Sequence, residues 1–199
     1  MIMTFRWYGK DDPISLRYIR QIPAVKGIVS ALYDVPVGDE WPLEKIAALR
    51  KAVTDAGLEL TVIESIPVHE DIKLGLPARD GFIENYCRSI RNMGSLGIPI
   101  LCYNFMPVFD WMRSDLSREL DDGSTALSYD HDAIAAIDLN EGVLDLPGWA
   151  ASYTAHGLRS LLEAYTGVGP EDLWSNLEYF LKRVVPVAEA SGVRMGIHP

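Results

Sequence analysis

The sequence predicts an α/β fold on parallel strands, and three observations predict it. Short apolar runs of strand length alternate with stretches whose apolar residues recur at helical spacing, the junctions between them are short, and the unit recurs three times before a fourth strand. Repeats of this kind favour right-handed crossovers and a parallel sheet over a meander.

The first unit is an apolar run, Thr4 to Tyr8, then Ile14, Leu16, Tyr18, Ile19 and Ile22 on one side of a short helix. The second is Gly27 to Leu32, a Pro/Gly loop, and a helix from Pro42 to Ala56, with Pro42 suited to the first turn and Gly57 to the stop. Leu58 to Ser65 reads as the third strand, Asp80 to Leu96 as a helix ended by Gly97, and Ile98 to Asn104 as the fourth strand. The repeat then breaks. An insertion at about 105–167 carries Pro107, Asp121-Asp122-Gly123 and Pro147-Gly148, with helical patterns at Ala133 to Leu139 and Trp149 to Ala164. Insertions after a strand's carboxyl end commonly build a lid or substrate wall. A helix from Pro170 or Glu171 to Ala190 follows, stopped by Gly192, and Val193 to His198 is a fifth strand.

An eight-unit barrel needs about 250 residues. Five strands and one insertion occupy all 199 residues here, so residues 1–199 read as one partial barrel domain holding the first five strands. An open sheet closing on an edge strand is the competing reading. An unclosed barrel exposes strand edges, so this segment alone is expected to be poorly soluble or to depend on the remainder of the barrel.

With 48% hydrophobic and 23% charged residues the chain is able to bury a sizeable core. A formal net charge of -10, with no basic stripe to offset it, argues against nucleic acid as a partner. No apolar run reaches the roughly 18 residues of a membrane span, and Met1 to Asp12 lacks a leader pattern. A cytoplasmic protein without membrane partners is expected, with Cys87 and Cys102 as reduced, buried thiols.

In parallel α/β folds functional atoms gather at the carboxyl ends of the strands, which here are Trp7 and Tyr8, Tyr33 and Asp34, Glu64, Tyr103 and Asn104, and His198. The set suits a polyhydroxylated ligand and a divalent metal. His198 is a candidate metal ligand, with a satisfied core or surface histidine as the alternative. Glu64 after a buried-looking run fits a polar site or a structural ion pair equally. Asn104 fits a sugar hydroxyl or a turn. Arg113 has the planar fork that matches a carboxylate, although an exposed arginine is usually only solvated. His69, His131, Glu70-Asp71 and Asp121-Asp122 read as solvated loop groups. No GxGxxG, Walker A or GxSxG pattern occurs, which leaves dinucleotide, P-loop and serine-hydrolase readings without support.

Several stretches carry more: RWYGKDDPISL near the start, KGIVSALYDVPVGDEWP (Lys26 to Pro42), VIESIPVHEDIKLG (Val62 to Gly75), CYNFMPVFDWMRSDL (Cys102 to Leu116) and the terminal MGIHP. In order and spacing the chain resembles the mannonate dehydratase family. The resemblance implies a TIM-type (β/α)8 barrel of the xylose isomerase-like kind, and a lyase that converts D-mannonate to 2-keto-3-deoxy-D-gluconate in glucuronate catabolism with Mn²⁺ or Fe²⁺. The histidine of the family's strand-five HP motif is a metal ligand and falls on His198. The family's other ligands and its acid/base residues come from later strands. The resulting expectation has His198 on the metal and Trp7, Glu64, Tyr103, Asn104 and Arg113 around a small sugar acid, in a possible homo-oligomer. A sugar isomerase or epimerase on the same barrel, or a non-catalytic sugar-acid-binding fragment, are the alternatives.

Overall fold

The computed structural model describes residues 1–108, 113–136 and 155–198. Its elements are β1 (Met3–Arg6), α1 (Leu16–Ile19), β2 (Val25–Ser30), α2 (Leu43–Asp55), β3 (Glu59–Glu64), α3 (Glu70–Lys73), α4 (Arg79–Ser95), β4 (Ile100–Tyr103), β5 (Asp115–Glu119), β6 (Thr125–Ser128), α5 (His131–Ala135), α6 (Ala155–Tyr165), α7 (Pro170–Ala190) and β7 (Arg194–Ile197). Two compact units result: Met1–Phe105 with Pro170–Pro199, and Met106–Gly169.

The first unit is an α/β layer on a five-stranded sheet of order β1-β2-β3-β4-β7, in which every neighbouring pair is parallel. The alternation of side chains along a strand gives this sheet two unlike faces. On one, Ile28, Ile63 and Leu101 are 0% exposed and join Ile46 and Val53 of α2, Ile90 and Met93 of α4, and Phe180 and Val184 of α7 in one buried cluster. Complete burial of an aliphatic side chain of this size contributes about 1.5–3 kcal/mol, so this face holds the unit together. The other face carries Arg6, Val29, Val62, Ile100 and Arg194 in register across all five strands, and one step further Glu64, Cys102 and Gly196. None of these is fully buried.

The helix boundaries follow local chemistry. Pro42 is the residue before α2, not its first-turn residue, and its φ of -62° directs the chain into the helix. Gly57, at φ +76° just after the Ala56 cap, reverses the chain into β3 with a backbone that a side chain would strain. The helix expected across Ile14 to Ile22 shortens to α1, because Ser15 caps it by accepting from the Tyr18 N–H, and Pro23 follows. The far side of the layer is cross-linked by polar groups. Asn176 of α7 donates to the Lys73 carbonyl (2.9 Å) and accepts from Arg79 (3.2 Å), tying α3 and α4 to α7.

In the second unit β5 and β6 pair antiparallel, an element the sequence pattern did not reveal. Asp122 closes the turn by accepting from the Ser124 N–H (3.0 Å) and hydroxyl (2.6 Å), and those bonds hold its carboxyl below the usual range. Asp130 caps α5 through the Ala133 N–H (3.1 Å). The helices expected at Ala133 to Leu139 and Trp149 to Ala164 fall partly outside the described residues, as do Trp111, Pro147 and Gly148. Among the described residues no helix is long and apolar enough to cross a membrane.

Candidate functional site

At the carboxyl ends of the sheet strands the face opposite α2, α4 and α7 becomes polar. Arg6, the last residue of β1, extends past β2 to Glu64, the last residue of β3, with Nη1 3.0 Å from Glu64 Oε2. Its Nη2 donates to the Tyr33 hydroxyl at 3.3 Å, and its guanidinium carbon lies 5.0 Å from the centre of the Tyr8 ring. The Tyr8 and Tyr33 rings are 6.4 Å apart and tilted by 34°. Arg6 Nε is buried and has no hydrogen-bond partner among the described residues. Cys102 stands beside Glu64 in the β3–β4 register. Burial, and secondarily the Glu64 charge, raise its thiol above the ordinary range, so it stays protonated at neutral pH. The Tyr33 phenol is likewise raised, burial outweighing the neighbouring Arg6.

The loop carrying Tyr33 is fixed from behind by α4. Ser89, fully buried, accepts from the Trp41 N–H (2.8 Å), Asn92 donates to the Trp41 carbonyl (2.9 Å), and Asn85 donates to the Gly38 carbonyl (2.8 Å). Gly38 has φ +91°, and a Cβ there would lie 2.7 Å from the Phe82 ring and 2.8 Å from His69. Only glycine lets the loop pass this close. His69 is not the solvated loop histidine expected. It stacks on Phe82 at 3.7 Å and caps α3, its Nδ1 accepting from the Asp71 N–H at 3.1 Å. Glu70 likewise is no free loop charge, since it pairs with the buried Lys73 at 2.7 Å.

At the other side of the sheet the His198 N–H donates to the Tyr103 carbonyl at 2.7 Å, which extends the β4–β7 pairing beyond the strand. Alternation along β7 then sets His198 on the side of Gly196, the face that carries Cys102 and Glu64. Asn104 follows Tyr103 directly and is half-buried.

The expected site residues therefore divide. Glu64, Asn104 and His198 stand at the strand ends of the first unit. Trp7 and Tyr103, expected at the same mouth, are 7% and 5% exposed and belong to the helix-facing cluster, Tyr103 lying 6.1 Å from the Phe180 ring. Burial raises the Tyr103 phenol. Arg113 belongs to the second unit, where it precedes β5. Arg6 was absent from the expected set. Its signal was a charge between Phe5 and Trp7 in a strand, the position that alternation sends to the face opposite the apolar cluster. Among the described residues no three His, Cys, Asp or Glu side chains gather as a metal site. His198 offers one imidazole donor of the kind Mn²⁺ or Fe²⁺ accepts, and these residues do not complete a coordination sphere.

A family model described as D-mannonate dehydratase (UxuA) matches residues 1–199. A protein named mannonate dehydratase from Streptococcus uberis is 56% identical over 199 residues, covering 100% of this chain and 57% of that protein. One of the same name from Streptococcus suis is 58% identical over 200 residues, covering 100% of this chain and 55% of its own. The crystal structure of mannonate dehydratase from Streptococcus suis serotype 2 superimposes with a TM-score of 0.88 at 55% identity, over 100% of this chain and 53% of that one. The chain thus spans just over half the length of the relatives it matches.

Proposed function

Because the chain belongs to the D-mannonate dehydratase (UxuA) family, we propose that the complete gene product removes water from D-mannonate to give 2-keto-3-deoxy-D-gluconate, a step of glucuronate breakdown. The observation that carries this reading is the extent of the match, which runs through all 199 residues and so includes every strand end of the site. The five parallel strands are, on this reading, the first part of a TIM-type barrel, whose sites form at the carboxyl ends of strands.

The reaction removes the C2 proton beside the carboxylate and the C3 hydroxyl, leaving an enol that gains a proton at C3 and becomes the keto acid. The sheet face opposite the apolar cluster supplies groups for holding such a substrate. Glu64 accepts from hydroxyls, Arg6 and Asn104 donate, and Trp7 and Tyr103 support the strand ends from the core side. His198 is assigned as one ligand of the Mn²⁺ or Fe²⁺ that this reading includes, and such an ion would supply charge stabilisation beside the substrate carboxylate.

The test is incubation of the complete gene product with D-mannonate and Mn²⁺, with the product identified, alongside His198→Ala. Formation of a 2-keto-3-deoxy acid by the wild type, with bound manganese in His198→Ala weakened more than roughly tenfold, is the expected result. Unchanged metal content in His198→Ala removes the ligand assignment, and an isomeric acid as product removes the dehydratase reading.

A further inference from the structure

We infer that Arg6 and Glu64, held in place by Tyr33, form a subsite for the hydroxylated tail of an open-chain sugar acid and not for its carboxylate. The inference rests on the functional reading above and adds which end of the substrate lies where.

The charge balance carries it first. Arg6 is already matched by Glu64 at 3.0 Å, so the pair presents no net charge to a ligand. A substrate carboxylate brought to Arg6 would stand against the Glu64 carboxylate, and like charges at close range disfavour that orientation. A hydroxyl meets no such opposition.

The donor and acceptor set carries it second. The Glu64 carboxylate accepts only, through two oxygens with about four lone-pair directions, more than the one contact with Arg6 uses. The Tyr33 hydroxyl accepts from Arg6 and retains its own proton to donate. Arg6 Nε is buried and has no partner among the described residues, and the guanidinium keeps further Nη–H groups beyond those directed at Glu64 and Tyr33. A sugar hydroxyl both donates and accepts, and adjacent hydroxyls need a donor and an acceptor side by side. Arg6 and Glu64 supply them, one from each side of β2. The exposed Tyr8 ring adds an apolar surface for the C–H groups of the chain.

Position carries it third. Glu64 on β3 and His198 after β7 are two strands apart in the sheet order. At the usual strand spacing that is about 10 Å, comparable with the length of an extended six-carbon acid. The reacting carboxylate end then lies toward β7 and the tail toward β1.

The experiment uses the complete gene product as wild type, Arg6→Lys and Tyr33→Phe. Each is assayed with D-mannonate and with five- and four-carbon aldonates of the same C2 and C3 configuration, the short acids being read as substrates or as competitive inhibitors. In the wild type affinity falls as the tail is shortened. Arg6→Lys raises KM for the six-carbon acid roughly tenfold or more with a smaller change in kcat, while constants for the four-carbon acid stay within about twofold, so discrimination by length collapses. Tyr33 is 47% exposed, so Tyr33→Phe is expected to fold normally and to shift discrimination in the same direction by less. Equal losses for all chain lengths would mean that Arg6 holds the carboxylate and would overturn the inference, as would unchanged discrimination in both variants. Absence of D-mannonate turnover in the wild type itself would instead sink the functional reading, and this inference with it.

Discussion

Arg6 Nη1 lies 3.0 Å from Glu64 Oε2 although the two residues belong to β1 and β3, with β2 between them. Val29, in register with Arg6, belongs to the strand between them. The pair is thus a product of strand order as much as of side-chain chemistry.

Glu64→Gln is predicted to leave stability nearly intact. The two side chains are 26% and 31% exposed, so solvent screens their attraction, and the loss is expected to stay under about 1 kcal/mol. Thermal unfolding is the check, with a shift of no more than about 4 °C anticipated for a chain of this size. A drop as large as that of a core truncation would mean the pair holds the strands together.

Ser89→Ala is predicted to be costlier, despite removing one oxygen. Ser89 is 0% exposed, accepts from the Trp41 N–H and donates to the Asn85 carbonyl at 2.9 Å. Alanine leaves the N–H of the buried Trp41 without a partner, at about 1–3 kcal/mol. Urea unfolding should show a lower midpoint at an unchanged slope. An unchanged midpoint would contradict the role given to α4 in fixing the loop that carries Tyr33.

His69 predicts a pH effect. Burial lowers its pKa, outweighing the Asp71 and Glu70 charges that act to raise it, and Nδ1 must be unprotonated to accept from the Asp71 N–H. A histidine whose folded pKa lies below its unfolded value adds stability that is full above about pH 6.5 and is lost as pH falls through the folded pKa. Thermal midpoints of wild type and His69→Gln from pH 8 to pH 5 should therefore converge as acid is added. Parallel curves would show that protonation of His69 is not what weakens the fold.

Much of the fold was legible because its strands and helices differ in apolar period. LELTVIES and IPILCYN announce strands, and α2, α4 and α7 lie within a residue or two of the expected ranges. The β5–β6 hairpin was not legible, since DLSRE is exposed at every position and carries no alternation to read. Of the site, Glu64 and His198 were legible as strand-end groups. Tyr103 was assigned to the mouth by its position at a strand end, but alternation groups it with Leu101 beneath the helices. Arg6 was overlooked because its partner lies 58 positions further along the chain on a non-adjacent strand. The His69–Phe82 stack joins the cap of α3 to the first turn of α4, a pairing that the apolar pattern of neither helix reveals.

The most direct test of the central claim is turnover of D-mannonate by the complete gene product in D₂O, followed by proton NMR. The account predicts a 2-keto-3-deoxy acid carrying one solvent deuterium at C3, where the enol takes up its proton. An isomeric six-carbon acid formed without loss of water, or D-mannonate left unconsumed by metal-loaded protein, would contradict it.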